Sequence, residues 1–135
     1  MKRKTVKMIQ AVMLIVLSVF LLTGCEEYLD YSQYMESDFD GSKYGDEASF
    51  NAIYKTLDRT ISNTIDVNGY TGIIVEIDNE KGTVDYTISD SVGNIIATRT
   101  GVTKERQEIP VNYSGFIKVE VTGNKARGKF SIRRQ

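Results

Sequence analysis

The chain has 135 residues and a formal net charge of −1, with no histidine, no tryptophan and a single cysteine. Without histidine it lacks the usual general base near neutral pH and the commonest metal ligand, and one cysteine cannot close a disulfide within the chain. The charge is unevenly placed, with a net −7 over residues 26–50 and a net +6 over residues 99–135.

Lys2, Arg3, Lys4 and Lys7 form a basic head, and residues 8–22 are apolar except for Gln10 and Ser18. That run has the length of a secretory h-region and falls short of the roughly 20 residues of a membrane-spanning helix. Thr23 and Gly24 then precede Cys25. The stretch Leu22-Thr23-Gly24-Cys25 resembles the lipobox of bacterial lipoprotein signals. The resemblance implies a signal peptide over residues 1–24, cleavage between Gly24 and Cys25, a diacylglyceryl thioether on Cys25 and acylation of the new terminus by a chain such as palmitate. It also implies a protein held by its lipid on the extracytoplasmic face of the cell membrane. Two or more acyl chains hold a protein stably where one does so only marginally. An uncleaved N-terminal membrane helix is the alternative.

Residues 25–50 read as a lipidated cysteine followed by a flexible acidic tether, because acidity is high and β-branched residues are few. Such a segment is repelled by anionic lipid. Asp38-Phe39-Asp40-Gly41-Ser42 opens like a calcium loop, but Lys43 stands where that loop needs Gly and Ser49 where it needs Glu, so no metal is expected there. No motif for a cofactor occurs in the chain either.

From residue 51 to 135 the pattern becomes that of one β domain. Ile73, Val75 and Ile77 alternate with polar neighbours, as do Val84, Tyr86 and Ile88, then Ile117, Val119 and Val121, then Phe130 and Ile132. A period of two marks half-buried antiparallel strands. The alternation predicts seven strands near 60–67, 72–79, 83–89, 94–99, 106–111, 115–122 and 128–134. Asn68-Gly69, Lys81-Gly82, the 90–94 stretch, the 112–115 stretch and Gly123-Asn124 supply turn chemistry between them. Pro110 marks its run as an edge strand or a strand end. Residues 46–57 fit either a strand or a short helix capped by Asp46 or Ser49, and the β-branched residues that follow favour the strand. The expected fold is a small all-β antiparallel sandwich, jelly-roll or Ig-like.

The stretches 80–84, 88–96, 115–119 and 123–132 resemble the C-terminal half of small lipoproteins and secreted proteins of Gram-positive bacteria, in which a compact β-sandwich follows a lipobox and a polar linker. That group's pattern usually has Tyr where this chain has Phe116. The resemblance carries over no site residues.

The functional expectation is a non-catalytic envelope lipoprotein that binds a protein partner. A second reading is a cell-wall polymer or carbohydrate module in which Lys125, Arg127 and Lys129 meet anionic polymer. Tyr70 and Tyr113 fall in turns at the ends of the expected sandwich, where loops carry recognition. A third reading is a hydrolase built on Asp78, Glu80, Asp85 and Asp90, since paired carboxylates can cleave glycosides. Nucleic acid is not expected as a partner, because aromatics are not interleaved with the basic groups. The lipid anchor is directly measurable: the mature protein is expected to begin at a lipid-modified Cys25 by mass spectrometry, and Cys25→Ser to remain an unmodified precursor. An intact wild-type precursor with a free thiol would overturn the lipobox reading.

Overall fold

The protein is described here by a computed structural model, which covers residues 31–35 and 37–135. The basic head, the apolar run, the lipobox with Gly24 and Cys25, and residues 26–30 of the expected tether lie outside the described residues. The described chain forms eight antiparallel strands and no helix. They are β1 (Tyr31–Met35), β2 (Phe39–Gly45), β3 (Ser49–Leu57), β4 (Thr60–Asp66), β5 (Gly72–Asp90), β6 (Ile95–Val102), β7 (Lys104–Pro110) and β8 (Phe116–Arg134).

Two of these strands are far longer than the alternation predicts. Residues 72–79 and 83–89 are one strand, β5, and residues 115–122 and 128–134 fall almost wholly in another, β8. β5 and β8 pair with each other along nearly their whole length, from Ile73 opposite Arg134 to Asp90 opposite Ile117. Lys81-Gly82 and Gly123-Asn124 are therefore bends inside paired strands, where the sequence pattern predicts turns between strands. The register shifts between Asn79 and Thr83, and there both strands fold back.

The bend turns a single hydrogen-bonded sheet into a two-layered sandwich. One layer holds β1, β2, β3, the C-terminal half of β8, the N-terminal half of β5, and β7. The other holds β4, the N-terminal half of β8, the C-terminal half of β5, and β6. β3 continues into β4, and β6 into β7, at the same corner. Pro110 ends β7, which pairs only with β5 and so lies at a sheet edge, as its missing N–H requires.

Alternation decides which side chains enter the core. Phe50, Ala52, Tyr54, Ile73, Val75, Ile77, Phe130 and Ile132 face inward from the first layer. Ile61, Ile65, Val84, Tyr86, Ile88, Ile117, Val119 and Val121 meet them from the second. Full burial of such a side chain contributes about 1.5–3 kcal/mol. Phe50 packs edge-on against Phe130 with ring centroids 5.1 Å apart. The segment that fits either helix or strand is β3, because Phe50, Ala52 and Tyr54 are needed inward at period two.

The flexible acidic tether expected through residue 50 is corrected from residue 31 onward. β1 and β2 form a hairpin added to the edge of β3, and Phe39 in β2 is fully buried. Asp38 and Asp40 flank it and keep partial exposure. The acidity here marks the solvated side of an edge hairpin, which one buried aromatic is enough to fasten.

The corner depends on residues without side chains. Gly82 has φ +66°, and a Cβ there would fall against the carbonyl oxygens of Asn124 and Lys125. A Cβ on Gly128 would fall against the Asp78 carbonyl. Buried Asn79 finishes the corner: its amide donates to the Val102 carbonyl at 3.3 Å, its backbone N–H donates to the Thr103 carbonyl at 2.8 Å, and its side-chain oxygen accepts from the Tyr54 hydroxyl. Gly93, in the 91–94 turn, also has positive φ (+91°) but open space around it. A left-handed backbone costs an L-residue about 1–2 kcal/mol. Gly93→Ala should lose only that, and Gly82→Ala at least about 1 kcal/mol more, through the added clash. Urea midpoints of the two variants check this, and equal losses would show the corner to be slack.

Candidate functional site: the loop end of the sandwich

The two ends of the sandwich differ in chemistry. At the corner end, a surface groove of about 580 Å³ is lined by Asp40, Lys55, Asp78, Glu80, Arg127 and Lys129 among others. The candidate polymer-binding cations lie in this region, interspersed with acids. Arg127 pairs with Glu80 at 3.4 Å, and Lys129 stands in register between Ile53 and Asp78. Lys125 occupies the bend with φ +48°, and its backbone N–H donates to the Asp58 carboxylate at 3.1 Å. The expected basic patch is thus a mixed-charge surface.

The four candidate carboxylates are not brought together. Asp78 and Glu80 share the corner groove, with Lys104 3.6 Å from Asp78 and Arg127 beside Glu80. Neither sits in the apolar setting that a proton-donating acid requires. Asp85 accepts from the Gly101 N–H at 2.8 Å, and Asp90 lies at the opposite end of the molecule. The interior offers two phenols instead. Burial, then the nearby Asp78 charge, raises Tyr54 well above its ordinary value. Burial, then Glu105, also raises Tyr86. Both stay neutral at physiological pH.

At the other end, three loops meet. The 67–71 loop crosses from β4 to β5, the 111–115 loop crosses from β7 to β8, and the 91–94 turn joins β5 to β6. The two crossing loops are tied by backbone bonds, Val67 N–H to the Gly115 carbonyl at 2.9 Å and Val111 N–H to the Thr71 carbonyl at 3.0 Å. Ser114 Oγ donates to Asn68 Oδ1 at 2.8 Å. The Tyr113 hydroxyl bonds Ser91 Oγ, which joins the third loop to the other two. Asn68-Gly69 makes the turn expected of it: the Tyr70 N–H reaches the Val67 carbonyl at 2.9 Å, with Gly69 at φ +83°.

These loops enclose an open groove of about 560 Å³, walled by Tyr70, Thr71, Pro110, Asn112, Tyr113 and Ser114. Arg134 stacks on the Tyr70 ring at 4.2 Å and donates to the Asp66 carbonyl at 3.1 Å, which fixes the ring. Four of the five large apolar side chains exposed among the described residues gather at this end: Val92 (80 %), Ile95 (66 %), Phe116 (46 %) and Tyr70 (38 %). The sequence pattern flags Tyr70 and Tyr113 but not Val92, Ile95 or Phe116. The available signals are an apolar residue inside turn chemistry at Val92, and the Ile95-Ile96 pair, of which a strand can bury only one.

Asp90 holds the 91–94 turn. Burial pushes its carboxyl up, but hydrogen bonds from the Asn94 backbone and side chain and from the Val92 and Gly93 N–H groups outweigh this and hold it below its ordinary value.

No family model and no curated protein matches the chain. Several solved structures are similar to it in part, three of which follow. One is the pre-peptidase C-terminal domain of a collagenase from Bacillus anthracis, at 13% identity over 67% of this chain and 90% of that one, with a TM-score of 0.49. Another is TmCBM61 in complex with β-1,4-galactotriose, at 18% identity over 70% of each chain, with a TM-score of 0.38. The third is PliG of Aeromonas hydrophila, a periplasmic inhibitor of g-type lysozyme, at 11% identity over 77% of this chain and 93% of that one, with a TM-score of 0.41. Likenesses at this level carry no argument about what the chain binds.

The depressed Asp90 pKa gives a signed expectation. Its contribution is fully present above the ordinary carboxylate value of 3.8 and is lost as pH falls through the lower folded value. Wild type should exceed Asp90→Asn in stability by a constant margin from neutral pH down to about 5, and the margin should shrink below that. Urea midpoints across pH measure it, and a margin that widens on acidification would contradict the turn-holding role.

Proposed function

We propose that this protein is an extracytoplasmic lipoprotein, anchored by lipid on Cys25, that binds an envelope partner non-catalytically through the loop end of its sandwich. The anchor rests on the lipobox resemblance at residues 22–25. The binding face rests on one observation, the gathering of exposed apolar side chains at an end whose loops are already cross-braced. Apolar groups collected on a rigid surface mark interaction sites, whereas singly scattered ones do not. A braced surface also loses little entropy on binding. Among the described residues, the carboxylates that share the corner groove have cations beside them and the buried phenols stay neutral, which favours recognition over chemistry.

Of the two partner surfaces the sequence suggests, the basic strands are the weaker, since Glu80 pairs with Arg127 and Asp78 stands in register with Lys129. A photo-activatable cross-linker placed in the full-length membrane-bound protein separates the two ends. Position 92 should give partner adducts and position 125 should give few. Adducts concentrated at 125 would move the binding face to the corner.

A further inference from the structure

We propose that the groove between the 67–71 and 111–115 loops binds a neutral glycan, with Tyr70 as the stacking platform and Thr71 and Asn112 as hydrogen-bonding groups. This rests on the loop-end reading above and names the chemical class of its ligand.

The lining selects among ligand classes. None of the groove's lining residues is charged. A cationic peptide would meet no carboxylate in the lining, and Arg134, a cation at its margin, is stacked on Tyr70 and bonded to the Asp66 carbonyl. The backbone groups where the two loops meet are already used: Thr71 N–H bonds the Gln135 carbonyl at 3.0 Å, and Val111 N–H and the Thr71 carbonyl bond each other. Where the β7 edge reaches the groove it ends in Pro110, which has no N–H to pair with an extended peptide. A small apolar ligand wants an enclosed pocket that buries most of its surface, and this groove is open.

A sugar ring meets each of these conditions. Its C–H face stacks on an aromatic ring, and its hydroxyls both donate and accept. Tyr70 presents a ring that Arg134 covers on one side and holds in place, still 38% exposed. The side chains of Thr71 and Asn112 make no hydrogen bond among the described residues, so an amide donor pair, an amide oxygen and a hydroxyl stand ready beside the ring. Tyr113 closes the wall, its ring over Gly115, where a Cβ would come within 3.5 Å of it, and its hydroxyl tied to Ser91. The platform, the unspent polar groups and the wall are held in place before any ligand arrives.

The test uses the full chain in detergent, titrated with neutral β-linked gluco-, galacto- and manno-oligosaccharides, with polyglycerol phosphate as the anionic comparison. Emission is read from tyrosine, since the chain has eight tyrosines and no tryptophan, and calorimetry gives the affinity. At least one neutral oligosaccharide should bind, with little change in high salt. Tyr70→Ala should weaken it at least about tenfold and Asn112→Ala by about threefold or more. Tyr70→Phe, which keeps the ring, should bind within about twofold of wild type. The triple change Lys125→Glu, Arg127→Glu and Lys129→Glu should bind as wild type does. No binding by any neutral oligosaccharide, wild-type binding by Tyr70→Ala, or binding confined to polyglycerol phosphate would each overturn the proposal. Protein adducts at position 92 without oligosaccharide binding would overturn the glycan while leaving the loop-end reading standing.

Discussion

Two 19-residue strands that stay hydrogen-bonded to each other while turning the same corner hold this molecule together. Every other element hangs on that pair. β3 and β4 flank β8, β6 and β7 flank β5, and the β1–β2 hairpin hangs on β3. The two core-lining faces of the sandwich are successive lengths of the same two strands. A sheet folded this sharply brings backbone against backbone, and side chains at Gly82 and Gly128 would occupy the space that carbonyls fill. The Tyr54–Asn79 contact sits directly inside the fold, where opening the corner would strand a buried amide and a buried phenol without partners. The same hydrogen bonds that finish the corner thus penalise its opening.

Much of this was legible in the sequence, and the failures have common causes. Period-two alternation located both arms of β5 and both arms of β8, because burial on one face leaves that signature whatever the strand's length. It could not show that the arms are continuous. Gly and Asn permit positive φ in a two-residue turn and in a mid-strand bend alike, and only long-range pairing tells the two apart. β2 was missed because it shows one fully buried side chain, Phe39, among acidic and glycine positions. An edge hairpin that covers the core with a single aromatic has the composition of a linker.

The site divides the same way. Tyr70 and Tyr113 were recognisable as turn residues, since Asn68-Gly69 and Ser114-Gly115 flank them. Their meeting across one groove follows from two loops crossing between layers at the same end, a consequence of the corner at the other end. The basic run misled for the opposite reason. Lys125, Arg127 and Lys129 follow one another along the chain as a basic run, but neighbouring strands supplied Asp78 and Glu80 beside Lys129 and Arg127. Charge counted along one strand overstates the field wherever adjacent segments carry the opposite sign.

The hairpin that replaces most of the tether changes what the proposed anchor can do. Only six residue steps separate Cys25 from Tyr31, the first residue of β1, and six steps span at most about 20 Å when fully extended. β1 begins two ladder positions from the row that includes Ser49 and Arg133, and runs from there toward the corner. The chain therefore enters the sandwich from the loop-end side. On the proposed anchor the groove stays within a short leash of the bilayer. The mixed-charge corner is the end that points away. A module arranged like this samples the layer next to the membrane, and the short leash raises its effective concentration there without any further contact.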